Sequence, residues 1–163
     1  NRLDKVKISA DAVDENVHQS EDKFAAYESK YKVKLDRHEL KKSERPQAAA
    51  AVMDWMGEIG NTVKSFDTYH RDYLAAHGKL KKEVKAASNQ LGKLKTDGST
   101  SPTERGAAQE VLSIKQAQLD HLETEYKVLW MEARDAIDEY NAECKNRGAG
   151  WKKATFPYPD PTE

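Results

Sequence analysis

Apolar side chains recur between residues 52 and 94 in steps of four and three, and this spacing predicts one long amphipathic helix. Val52, Ile59, Phe66, Tyr73, Leu80, Ala87 and Leu94 stand at every seventh position. Met56, Val63, His70, His77, Val84 and Leu91 fill the places between them. Alternating steps of three and four keep a stripe on one face of a helix, as in the seam of a coiled coil. A second stripe runs through Ala108, Leu112, Leu119, Leu122, Tyr126, Leu129, Ala133, Ala136 and Tyr140, with Lys115 as its misfit. A third and weaker one holds Val13, Val17, Ser20, Phe24, Tyr27, Tyr31, Leu35 and His38.

The breaks between these stripes carry turn chemistry. In Asp97-Gly98-Ser99-Thr100-Ser101-Pro102-Thr103-Glu104, Gly98 suits a helix C-terminus, Ser101 an N-cap and Pro102 a first helical residue. Pro46 cannot continue an earlier helix but can begin a new one. Ser9 and Asp11 suit the start of the first helix, and Gly148-Ala149-Gly150 the end of the last. The alternating prolines of Phe156-Pro157-Tyr158-Pro159-Asp160-Pro161 predict an extended tail.

A short connection makes the second and third helices antiparallel. A register that brings Leu80 to Leu119 also brings Tyr73 to Tyr126, Ala87 to Leu112 and Phe66 to Ala133, so both stripes coincide. The first helix turns back at Pro46, and its pattern aligns Phe24 with Phe66 and Tyr27 with Val63. The expected fold is therefore all-α: an elongated three-helix bundle with a long antiparallel coiled-coil hairpin projecting as a two-helix arm. Helices are expected at about 9–42, 46–96 and 102–147, in one domain over 1–150, followed by the Pro-rich tail 151–163.

Composition sharpens this picture. Of 163 residues, 37% are hydrophobic and 34% charged, and the mean hydropathy is -0.93. So polar a chain lines a narrow seam more readily than it fills a wide interior. The single cysteine, Cys144, excludes an internal disulfide framework and favours a cytoplasmic, reducing compartment. No apolar run is long enough for a membrane span. Because the sequence starts at Asn1 without Met, a processed or secreted fragment is the alternative expectation.

Charge is uneven although the net value is only -1. Lys79, Lys81, Lys82, Lys85, Lys93, Lys95, Arg105 and Lys115 outnumber the acids between residues 79 and 115 by eight to four. This is the candidate basic arm surface, whose plainer reading is a solvated helix face. It suits phosphates of an anionic membrane better than nucleic acid, because no aromatic side chain is interleaved with the lysines. His70 and His77 are candidate seam histidines, where imidazole would tie packing to pH; the plainer reading is that each reaches past the seam to water or a nearby carboxylate. His77 could approach His121, yet no metal is expected, since neither a cysteine cluster nor a His-Glu-x-x-His helix is present. Trp130 and Met131 flank the third helix's stripe. The first helix is expected to cover them; uncovered, they would form a candidate partner surface.

No phosphate-binding glycine loop, nucleophile elbow or Cys/His motif occurs, so neither an enzyme nor a cofactor is expected. The sequence points to a non-enzymatic helical interaction module, a scaffold, adaptor or spacer acting on protein partners, with homodimerisation compatible. Two alternatives accompany it. One is membrane-surface binding by a helical dimer that resembles the BAR class in its three long helices and basic tip. The other is a receptor-binding or translocation stalk of a larger secreted toxin or effector.

Overall fold

The computed structural model describes residues 1–20, 24–32, 35, 42–145 and 152–161. Among these residues lie four helices, α1 (Arg2–Ser20), α2 (Phe24–Tyr31), α3 (Arg45–Thr96) and α4 (Pro102–Lys145). The fold is all-α, with no strand among the described residues. At about 1.5 Å per residue, the 52-residue α3 is about 78 Å long.

Local chemistry sets the helix ends. Pro46 occupies the first turn of α3, where its missing N–H costs no hydrogen bond. At the far end Asp97 donates its backbone N–H to the carbonyl of Lys93. The Asp97 carboxylate accepts hydrogen bonds from the backbone N–H (2.9 Å) and hydroxyl (2.6 Å) of Ser99, closing a tight turn. These bonds, the side-chain one first, hold the Asp97 carboxyl below its usual range. Thr100 donates its hydroxyl to the otherwise orphaned carbonyl of Leu94 at 2.7 Å. Ser101 then caps α4 by accepting the N–H of Glu104 at 3.1 Å.

Helices α3 and α4 pair along their apolar stripes in the expected register. Tyr73 stacks on Tyr126 with ring centroids 4.0 Å apart. Across the same interface Glu83 meets Lys115 at 3.0 Å and His77 meets Glu123 at 3.6 Å. Each pair lies within one residue of the alignment that joins Leu80 to Leu119. The Lys115 misfit has a physical reason: its ammonium reaches a carboxylate supplied by the facing helix.

The first helix departs from expectation. Instead of one helix over 9–42, the chain forms α1 and α2, and α1 begins at Arg2. Ser9 lies inside α1, where its single O–H is within reach of both the Lys5 carbonyl and the Asp72 carboxylate. Tyr27 packs against Trp55 at 5.9 Å, not against Val63. The displacement of eight residues is about 12 Å along α3. Packing explains it, because the small residues Ala10, Val13 and Val17 join the cluster around Phe66 and Tyr69, while Tyr27 joins Trp55, Ile59 and Tyr140. Alternating large and small side chains in this way fills the interior without voids. Lys32, at φ 53, takes the left-handed conformation that ends α2. The alignment of the Phe24 side chain, His38 and the Gly148–Gly150 stop lie outside the described residues.

Candidate functional site

Residues 152–161 run extended and return along α4 as a strap; they do not leave the body as a free tail. The grip on the strap is largely on its main chain. Asn141 donates its side-chain amide to the Ala154 carbonyl at 2.9 Å and accepts the Ala154 N–H at 2.8 Å. Tyr140 donates its hydroxyl to the Lys152 carbonyl. Trp130 donates its indole N–H to the Tyr158 carbonyl at 3.0 Å. Phe156 and Tyr158 stand two residues apart, so an extended backbone presents both on one side. Both rings lie 4.9 Å from Phe66.

His70 sits at the edge of this aromatic centre. Its ring is 4.9 Å from that of Tyr158, and Nδ1 lies 2.7 Å from the Tyr126 hydroxyl. Burial lowers the His70 pKa, against a smaller upward pull from Asp67. Tyr158 donates its hydroxyl to Asp67 at 2.7 Å. Burial, aided by that carboxylate, pushes the Tyr158 phenol up to about 12. Tyr126 is also raised to about 12, chiefly by burial. These phenols therefore stay protonated across the physiological range and serve as hydrogen-bond donors. His77 stacks on Tyr73 at 5.1 Å and has Glu123 for its acidic neighbour. It does not pair with His121, which meets Glu125 on its own helix at 3.2 Å. Among the described residues, no group of three or more His, Cys, Asp or Glu is arranged to hold a metal ion.

Trp130 is not the partner surface that the sequence also allowed. It is only 4% exposed, because the strap and the cluster it shares with α1 cover it. Arg134 lies over its ring at 4.8 Å. Met131, one residue on, remains exposed. What the sequence reading missed was the docking partner. The Phe156-x-Tyr158 spacing was a readable sign of a one-sided aromatic strap, whereas nothing in the α4 pattern set Asn141 apart as its clamp.

The basic residues occupy a different part of the surface. Lys79, Lys81, Lys82, Lys85, Lys93 and Lys95 are exposed along α3. Arg105 and Lys115 are half-buried, a correction to their place on an open surface. Lys115 is drawn in by Glu83, which also meets Lys79 at the longer distance of 3.9 Å. Close by, Arg2 of α1 donates to the Ala75 carbonyl at 3.3 Å. There Arg2, Ala75, Gly78, Lys79 and Lys82 line a cleft of about 370 Å³.

Comparison with family models, with curated proteins and with solved structures finds no match for this chain. No helix among the described residues is long and apolar enough to cross a membrane.

Proposed function

We propose that the chain is a non-enzymatic helical interaction module, acting on a protein partner through the stretch where α3 and α4 run as a pair. In this reading the body is an elongated bundle of α1, α2, α3 and α4. The stretch from about residue 82 to 115 projects from it as an antiparallel coiled-coil arm. The observation that carries the reading is the exposure pattern of that stretch. Val111 and Ile114 are about half exposed at 49% and 50%, on a helix pair whose other helix bears exposed Lys81, Lys82 and Lys85. Exposed apolar side chains on one helix and exposed cations on the other fit a partner that offers both apolar and acidic groups. The aromatic centre, by contrast, is already occupied by the protein's own strap.

The test is affinity capture with the wild type beside the triple charge reversal Lys81→Glu/Lys82→Glu/Lys85→Glu. The reading expects specific partners to be lost while helicity and melting temperature hold. An identical captured set from both proteins would contradict it.

A further inference from the structure

We infer that the cleft between the start of α1 and the middle of α3 is a phosphate-binding site, built by Arg2, Lys79 and Lys82 over a floor of Ala75 and Gly78. This goes beyond the interaction-module reading and does not depend on a protein partner.

Three observations converge on it. Three of the five residues lining the cleft are cationic, and none is a carboxylate. Of the acids beside it on α3, Glu83 lies closer to Lys115 than to Lys79, and Asp72 accepts the Ser9 hydroxyl. Three cations around one opening repel one another, and a multiply charged anion relieves that repulsion. The second observation is geometric. Arg2 donates from one nitrogen to the Ala75 carbonyl at 3.3 Å, which brings the side chain across the gap between the helices. A guanidinium has five N–H donors in a planar fork, so several remain for phosphate oxygens, and the two lysines add ammonium donors. The third is the floor. A Cβ placed on Gly78 would have nothing within 4 Å, so an oxyanion can come close to the helix surface there. The volume of about 370 Å³ accommodates a diphosphate or a phosphorylated headgroup.

The ligand chemistry is a phosphate monoester or diphosphate, whether carried by a soluble metabolite or by a lipid. Isothermal titration of the full chain with pyrophosphate at low salt, beside co-sedimentation with phosphatidic-acid vesicles, separates the two sources. The site predicts binding in at least one arm. Lys79→Gln/Lys82→Gln should weaken that binding about tenfold or more through the loss of charged hydrogen bonds. Gly78→Met should weaken it comparably without removing any charge, because the added side chain occupies the floor. That variant also gains helix propensity, so its melting temperature should not fall. Lys93→Gln/Lys95→Gln removes the same charge further along α3 and should leave binding unchanged. Binding of pyrophosphate alone assigns the site to soluble phosphates, and binding of vesicles alone assigns it to headgroups. The inference is overturned if neither binds, if Gly78→Met binds as tightly as wild type, or if the Lys93/Lys95 variant loses as much as the Lys79/Lys82 variant.

Discussion

Asn141 shows how one side chain can hold a strap of any sequence. Its amide satisfies both backbone groups of Ala154, so Asn141→Ala removes two hydrogen bonds at once. The expected cost is about 1–3 kcal/mol, with faster hydrogen exchange over residues 152–158 and a lower melting temperature. Exchange as slow as in wild type would show that the remaining hydrogen bonds and ring contacts secure the strap without Asn141. His70 adds a pH dependence. Burial lowers its pKa below the ordinary 6.5, so the folded state holds neutral imidazole more readily than the unfolded chain does. Its stabilising contribution is therefore complete above the ordinary value and declines as pH falls from there through the lowered folded value. Melting temperature should drop between about pH 7 and 5.5, a window chosen above the ordinary carboxylate range. His70→Gln should flatten that slope, and an equal slope in both proteins would place the titration elsewhere.

Helix boundaries followed local rules wherever turn chemistry was dense. Pro46 and the Asp97–Pro102 turn could be read directly, because proline, glycine and short polar side chains act within a few residues of themselves. The α3/α4 register was legible for a related reason. A continuous stripe on each partner leaves few alignments that bury both, and Tyr73 over Tyr126 is the outcome. The first helix obeyed no such rule. Its apolar spacing continues across residues 20–24, so no local signal marks two helices. The position of Tyr27 is decided by Trp55, a contact between residues far apart in sequence. At this scale the Ser101 cap is testable. Ser101→Ala should cost about 1 kcal/mol, seen in thermal unfolding; no change would mean that the adjoining turn alone fixes the start of α4.

Taken whole, the molecule is organised around the α3/α4 pair, with α1 and the strap meeting different flanks of it. Asp72, which meets α1, lies about 200° around α3 from His70, which meets the strap. Cover from α1, α2 and the strap explains why so polar a chain still buries Trp55, Phe66, Tyr69 and Tyr140 almost completely. Such rings contribute roughly 3 kcal/mol each on burial. The strap's share of that burial was legible only as a spacing of two aromatic residues, since its docking surface comes from three different parts of the chain. The proposed contacts of the paired stretch depend on α3 remaining continuous and on α4 returning beside it. The most direct test is one distance between spin labels at Met53→Cys and Val111→Cys, in a Cys144→Ser background. Both sites are exposed, and the antiparallel register sets them apart by about 50 Å. A narrow distribution near that value is the predicted result, and a dominant distance below about 40 Å would mean that α3 bends or that α4 packs elsewhere.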